Sequence, residues 1–225
     1  TRMARTIKAL LFDLDGTLVD TIEDIAAAFS AAIALEGLER ASVAETKLGV
    51  GRGLVNALKD LLVLRNHEVS EERFNELLAH LYDYYQNHPV VYSKPFDGIV
   101  DLVNELSGEY QIGVLSNKEH TLTQHVVETL MGNLPWEVVR GMDDSYPRKP
   151  DPGAFTPFVE TMNVSLDEIL LIGDSEVDYQ SAVNAGCESI LVSWGFRPKE
   201  ALNRLDGATI VDTIAELKEA LDAVQ

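Results

Sequence analysis

The stretch Leu11-Phe12-Asp13-Leu14-Asp15-Gly16-Thr17-Leu18-Val19-Asp20 decides how this chain is read. An apolar run from Ile7 to Phe12, with one lysine in it, delivers two aspartates two residues apart just before a glycine. Residues i and i+2 of a strand face the same side, so both carboxylates start toward one site. Gly16 lets the backbone swing sharply there. Two crowded anions repel each other, and a bound cation is the usual remedy. One carboxylate can attack as a nucleophile while the other moves a proton, an arrangement suited to acyl-phosphate chemistry. For Asp15-Gly16-Thr17 alone, a plain strand-end turn is an equally good reading.

Three further polar clusters follow. In Ile112-Gly113-Val114-Leu115-Ser116-Asn117-Lys118 an apolar strand ends in a hydroxyl and an amide, with a helical pattern from about Glu119. Ser116, Asn117 and nearby backbone N–H groups can receive a phosphoryl oxygen, although Ser or Asn at that place also reads as a helix cap. In Arg148-Lys149-Pro150-Asp151-Pro152, Pro150 biases Lys149 toward an extended conformation, and Asp151-Pro152 reads as N-cap and first helical residue. A cation is thus presented before a helix, where it can offset phosphate and nucleophile together. In Ile169-Leu170-Leu171-Ile172-Gly173-Asp174-Ser175-Glu176-Val177-Asp178 a buried strand ends at Gly173, and Asp174 and Asp178 lie four apart. A starting helix would put those two on one face, and acids at a helix N-terminus are favourable even without metal.

An Asp-x-Asp-Gly-Thr segment after an N-terminal strand, followed in order by these three clusters, resembles the haloacid dehalogenase-like superfamily of phosphatases. The resemblance spans nearly the whole chain. It implies that Asp13 is the nucleophile and a magnesium ligand, and that Asp15 is the general acid/base with its backbone carbonyl on the metal. It implies that Asp174 ligates magnesium directly and Asp178 through water, with Ser116, Asn117 and Lys149 holding the phosphoryl group. Oxygen donors of this kind suit Mg2+, which keeps several waters and bridges carboxylate and phosphate. His67, His80, His88, His120 and His125 show no metal-ligand spacing, so zinc is not indicated. Cys187, the one cysteine, reads as a small core residue.

Composition bounds the alternatives. The 225 residues, 46% hydrophobic, suffice for one good core and a small accessory domain. Thirty-seven acidic against 18 basic side chains give a formal charge of −19, which argues against nucleic acid or anionic membranes as partners. A small phosphorylated metabolite would need the local positive field of Lys149, magnesium and helix N-termini. No run approaches a transmembrane span, no signal peptide is visible, and one cysteine excludes an internal disulfide framework; the cytoplasm is the expected compartment. Thr1-Arg2 ahead of Met3 reads as an added remnant.

Along the chain the pattern predicts an α/β fold, a doubly wound parallel sheet with a helical cap inserted after the first strand. Candidate strands are Ile7–Asp13, Gln111–Leu115, Glu137–Arg140, Ile169–Gly173, Ser189–Val192 and Thr209–Val211. Residues 20–92 read as helical throughout, with Ile22–Leu35, Leu54–Leu64 and Glu71–Tyr85 the clearest segments; residues 1–19 and 93–225 form the core. An insert there sits beside the carboxyl ends of the strands, where ligands bind in open α/β sheets, and can exclude water and choose the substrate.

Within the superfamily, small members of the phosphoglycolate phosphatase type are the nearest resemblance. In Lys47-Leu48-Gly49-Val50-Gly51-Arg52-Gly53-Leu54 three alternating glycines free the backbone to approach a ligand, and Arg52 can fork onto a carboxylate. Gly51 and Arg52 are therefore candidate substrate contacts, against the plainer reading of an interhelical turn with a solvated arginine. The superfamily's dehalogenases and phosphonoacetaldehyde hydrolases lack the second aspartate, present here as Asp15. Its hexose-phosphate mutases carry a histidine where this chain has Ile25. A phosphatase is expected. Phosphoglycolate, a nucleotide, a sugar phosphate or pyrophosphate all stay open as substrate. A silent phosphate-binding module and an assembly role through the insert, as a homo-oligomer, are the other readings.

Overall fold

The apolar run before Asp13 forms β1 (Ala9–Phe12), wholly buried, in a computed structural model that describes residues 6–225. Thr1 and Arg2, read above as a remnant, lie outside the described residues. After the Asp15-Gly16 turn comes a two-residue strand, β2 (Val19–Asp20), which pairs antiparallel with β3 (Lys94–Pro95). Between these two strands lie four helices: α1 (Ile22–Ala34), α2 (Val43–Gly49), α3 (Leu54–Leu64) and α4 (Glu71–Asn87). The rest alternates as α5 (Ile99–Leu106), β4 (Gln111–Glu119), α6 (His120–Met131), β5 (Trp136–Met142), a 3-10 turn at Pro152–Phe155, α7 (Thr156–Met162), β6 (Ile169–Gly173), α8 (Glu176–Ala185), β7 (Glu188–Val192), α9 (Lys199–Asn203), β8 (Ile210–Val211) and α10 (Ile214–Val224).

Six strands form one parallel sheet in the order β5-β4-β1-β6-β7-β8. β1 sits at its centre, with Leu11 paired to Gly113 of β4 on one side and Leu171 of β6 on the other. The period-2 alternation of a strand then explains the two helical layers. Leu10 and Phe12 pack with α5, α6 and α10 through Leu102, Val127 and Leu217, while Ala9 and Leu11 pack with Phe155, Phe158 and Met162 on the opposite face. The sheet is doubly wound, as the sequence predicts, and its β1, β4 and β6 ends gather the polar clusters on one edge.

The insert's helices bury faces at helical spacing: Ile22, Ile25, Phe29 and Ile33 of α1, and Phe74, Leu77, Leu81 and Tyr85 of α4, meet Leu58 and Leu61 of α3 in a second core that Leu122 of α6 and Phe196 also join. Ser42 and Glu45 cap α2 reciprocally, and Ser70 caps α4. Asp24, buried in α1, accepts hydrogen bonds from the backbone N–H of Val91 (3.1 Å), Tyr92 (3.1 Å) and Ser93 (2.9 Å), which ties the returning chain to the outgoing one. Three elements differ from expectation. β2 and β3 are too short to show a period, and β4 runs on to Glu119 rather than ending at Leu115, with its register to β5 shifted after Leu115. Among the described residues no helix is long and apolar enough to cross a membrane.

Candidate active site

Asp13 follows β1 directly; its N–H donates to Ile172 O (2.9 Å) and its carboxylate accepts from Leu14 N (2.7 Å). Gly16 then turns with φ +83°, and a Cβ there would meet the Asp174 carboxylate at 2.2 Å, so only glycine fits. Because the strand has ended, the two aspartates diverge. Asp13 turns toward Lys149, Asp174 and Asp178; Asp15 turns toward Thr21 and Lys118.

Asp13, Asp174 and Asp178 are buried and bring one carboxylate oxygen each within 4.8 Å of the others. Burial raises Asp13 well above the ordinary carboxylate range, the Asp178 charge adds to it, and the Lys149 ammonium opposes both. Burial and then the Asp178 charge push Asp174 up to about 7, against hydrogen bonds from Phe196 N (3.2 Å) and Thr17 Oγ1 (3.0 Å). A dry set of hard oxygen donors that penalises its own charge in this way fits a divalent cation. Asp178 is the least free of the three. Its Oδ2 accepts from Asp174 N (3.0 Å) and Ser175 N (3.3 Å) as part of the α8 capping box, and its Oδ1 accepts from Lys149 Nζ (2.7 Å). The helix-terminus reading of Asp178 holds, and the same residue stands in the carboxylate cluster.

Lys149 Nζ also lies 3.3 Å from Asp13 Oδ1. Burial alone would lower its pKa, but the charges of Asp13 and Asp178 outweigh that and raise it, so the ammonium stays charged. As the sequence predicts, Asp151 caps the turn that begins at Pro152, its side chain accepting from Gly153 N (2.8 Å). Asn117 holds the peptide groups of Lys149, accepting from Lys149 N (2.9 Å) and donating to Lys149 O (2.9 Å). It also donates to Gly51 O (3.0 Å) of the insert. The amide expected to face a phosphoryl oxygen is thus engaged as a clamp.

Ser116 lines the cavity and accepts from Lys118 N (3.0 Å), which leaves its hydroxyl proton to donate. The helix expected from about Glu119 is α6, which begins at His120, and the Glu119 carboxylate, rather than Ser116 or Asn117, accepts from Thr121 N and Leu122 N (3.0 Å each). The first amides of that helix are already satisfied, because β4 carries the chain past Ser116 before it turns.

The cavity, of about 20 Å³, has Asp13, Asp15, Ser116, Asn117 and Lys118 on the core side and Ile25, Val50, Gly51, Gly53, Leu54 and Ala57 on the insert side. Gly51 is at the cavity with φ +121°. Arg52, expected at the substrate, does not line it. Its side chain is half exposed and pairs with Asp60 of α3, the solvated-arginine alternative. His120 is also away from the cavity, where its ring accepts from Gly141 N (3.0 Å). Half-buried Cys187 packs beside the Phe155–Phe158 cluster.

Four side chains at the site carry no assignment from sequence. Lys118 is buried with its Nζ on Asp15 Oδ1 (2.7 Å) and Tyr85 OH (2.6 Å). Thr21 donates to the same Asp15 oxygen (2.5 Å). Arg197, from the loop after β7, donates to Lys47 O (2.7 Å) and Val50 O (2.6 Å) of the insert and pairs with Glu176 (2.9 Å). The only sequence signal was position: Lys118 ends the second cluster and Thr21 follows the first, whereas Arg197 and Tyr85 are far from any motif.

The profile of the haloacid dehalogenase-like hydrolases matches residues 10–192. A phosphoglycolate phosphatase of Thiobacillus denitrificans is 30% identical over 212 residues, covering 93% of each chain, and one of Vibrio cholerae is 29% identical over 225 residues, covering 96% of this chain and 98% of that one. Among solved structures, a haloacid dehalogenase-like family protein of Streptococcus pneumoniae superposes with a TM-score of 0.84 over 95% of this chain and 98% of its own. At 22% identity it shows the shared fold. A match that runs through all four polar clusters, on a sheet that brings them to one edge, leaves a single assignment: the chain belongs to the haloacid dehalogenase-like hydrolases.

Proposed function

We propose that this hydrolase is a magnesium-dependent phosphatase of small phosphomonoesters that works through an aspartyl-phosphate on Asp13. The observation that carries the reading is the position of the Asp13 carboxylate. It opens on the cavity beside Asp15, 3.3 Å from a buried ammonium and within the three-carboxylate cluster. Asp13 attacks the phosphorus in line. Asp15 gives a proton to the leaving oxygen, then takes one from the water that hydrolyses the aspartyl-phosphate. Lys149 and the Ser116 hydroxyl hold the phosphoryl oxygens, while Asn117 keeps Lys149 in place. Asp13, Asp174 and the backbone carbonyl of Asp15 would hold the metal, with Asp178 acting through water because both of its oxygens already accept. Bound there, magnesium supplies charge compensation for phosphate and nucleophile.

In this reading residues 20–92 are a cap domain on a core made of residues 1–19 and 93–225. The antiparallel β2–β3 pair at the two crossings and the grip of Arg197 and Asn117 on residues 47–51 support it. The cavity is too small for a substrate, so the cap must open to admit one. The relatives that are phosphoglycolate phosphatases favour a phosphoglycolate-like substrate, contacted on the insert side by Val50, Gly51 and Leu54 rather than by Arg52. The test is phosphate release from phosphoglycolate, sugar phosphates, nucleoside monophosphates and pyrophosphate, with magnesium, with EDTA and with Asp13→Asn. Release that needs both magnesium and Asp13 supports the reading. Release that survives EDTA, or no release from any compound, counts against it.

A further inference from the structure

Lys118 stands between the core and the insert. Its ammonium lies 2.7 Å from Asp15 Oδ1, 2.6 Å from the Tyr85 hydroxyl and 4.9 Å from the centre of the Tyr85 ring. Both Lys118 and Tyr85 are buried. Tyr85 belongs to α4 of the insert and Lys118 to β4 of the core, so their contact exists only while the insert is seated. Every hydrogen bond that the Asp15 carboxylate accepts among the described residues falls on Oδ1, from Thr21 and from Lys118. Oδ2 is left over, on a residue that lines the cavity.

We propose that Lys118 is a positioning residue for Asp15 and that Tyr85 is the insert's contribution to that position. The inference rests on the reading of Asp15 as the proton-transferring residue. With Oδ1 held, Oδ2 is the oxygen that meets the substrate. As the Asp13 oxygen bonds to phosphorus and the phosphorus–oxygen bond to the leaving group breaks, the proton on Asp15 passes to the departing oxygen and an alcohol leaves. Water then bonds to phosphorus, its proton returns to Asp15, and the Asp13 carboxylate is released. Tyr85 does not line the cavity, and its hydroxyl hydrogen-bonds to Lys118 rather than to Asp15. It orients the ammonium that orients the carboxylate, so the proton donor is set only once the insert has closed and excluded water. Lys118 also lines the cavity, and a plain substrate-binding cation is the alternative that the kinetics must separate from positioning.

The experiment measures release of the leaving group in the first turnover, the step before water attacks the aspartyl-phosphate, by rapid quench with magnesium for the full chain and for Tyr85→Phe, Lys118→Met and the double variant. The substrates are acetyl phosphate, whose leaving group needs no proton, and whichever alkyl phosphate of the panel above is turned over fastest. Positioning predicts losses on the alkyl phosphate of about 10-fold for Tyr85→Phe and about 100-fold for Lys118→Met, the scale of a misplaced reacting group. It predicts rates on acetyl phosphate within about threefold of wild type, little change in KM, and a double variant no worse than Lys118→Met. Equal losses on both substrates, or a raised KM with kcat unchanged, overturn it. Tyr85→Phe keeps the ring that fills the site and remains decisive if Lys118→Met fails to fold. Asp15→Asn serves as the control. If it too loses equally on both substrates, the reading of Asp15 fails; if it discriminates while Tyr85→Phe does not, this inference alone fails.

Discussion

Lys149 and Asp178 form an ion pair of 2.7 Å in which neither side chain is more than 1% exposed. Asp178 is the third residue of α8 and Lys149 precedes the turn at Pro152–Phe155, so the pair joins two motifs that are 29 residues apart. The same ammonium reaches Asp13 at 3.3 Å. One cation thus restrains both a residue of the carboxylate cluster and the proposed nucleophile.

Removing one partner of such a pair leaves charge buried without compensation. Lys149→Met is expected to destabilise the fold by about 3–5 kcal/mol, read from urea unfolding. Magnesium should recover part of that loss by supplying positive charge to the same carboxylates. An unchanged unfolding midpoint would contradict this view of the site.

Asp13→Asn keeps the shape of the side chain and one acceptor for Leu14 N. Turnover is expected to fall by about 10⁴-fold or more, with an unchanged circular dichroism spectrum. Wild-type turnover, with deamidation excluded by mass spectrometry, would sink the nucleophile assignment.

Arg197 donates to Lys47 O and Val50 O from the loop after β7. Hydrogen bonds from a charged group are worth more than neutral ones, so Arg197→Met should speed amide exchange over residues 47–53 by about tenfold. Exchange unchanged in that segment would mean that the insert is held elsewhere.

The Arg52 guanidinium faces Asp60 and solvent, where ion pairs contribute little. Arg52→Ala is expected to leave kcat/KM within about twofold for every substrate of the panel. A selective loss on carboxylate-bearing substrates would show that Arg52 swings into the site when the insert opens.

Glu45 links α2 to Arg65, at 2.5 Å and 2.9 Å, and accepts from Ser42 N (3.0 Å). These bonds, the Arg65 one first, lower its pKa from 4.5 to about 2. A depressed folded-state pKa gives stability that is fully present above pH 4.5 and is lost as pH falls toward 2. The Tm difference between wild type and Glu45→Gln should therefore be largest above pH 4.5 and shrink on acidification. A difference independent of pH would assign it to packing instead.

Much of the fold was legible because its signals are local. β6 occupies Ile169–Gly173, the bounds read from its apolar run, and α3 keeps Leu54–Leu64, because both are bounded by residues with strong conformational preferences. β2 and β3 were invisible. Two residues carry no period, and their pairing across the whole insert is a tertiary event. The extension of β4 past Leu115 was hidden for a related reason, since Ser116 and Asn117 read as the end of a strand until the pairing with β5 is known.

At the site, the sequence by itself determined the chemistry on offer: carboxylates at Asp13, Asp15, Asp174 and Asp178, and a cation at Lys149, each at the end of an apolar strand, before a helix or in its first turn. Residue type and strand ends are local properties, and four such clusters in order suffice to name the family. The tertiary structure decided which partner each group takes. It set Asn117 on Lys149, turned Arg52 out to Asp60, and seated Lys118 between Asp15 and Tyr85. Except for the local Arg52–Asp60 pair within the insert, these contacts join residues 32 to 103 positions apart, and such contacts leave no period or motif along the chain.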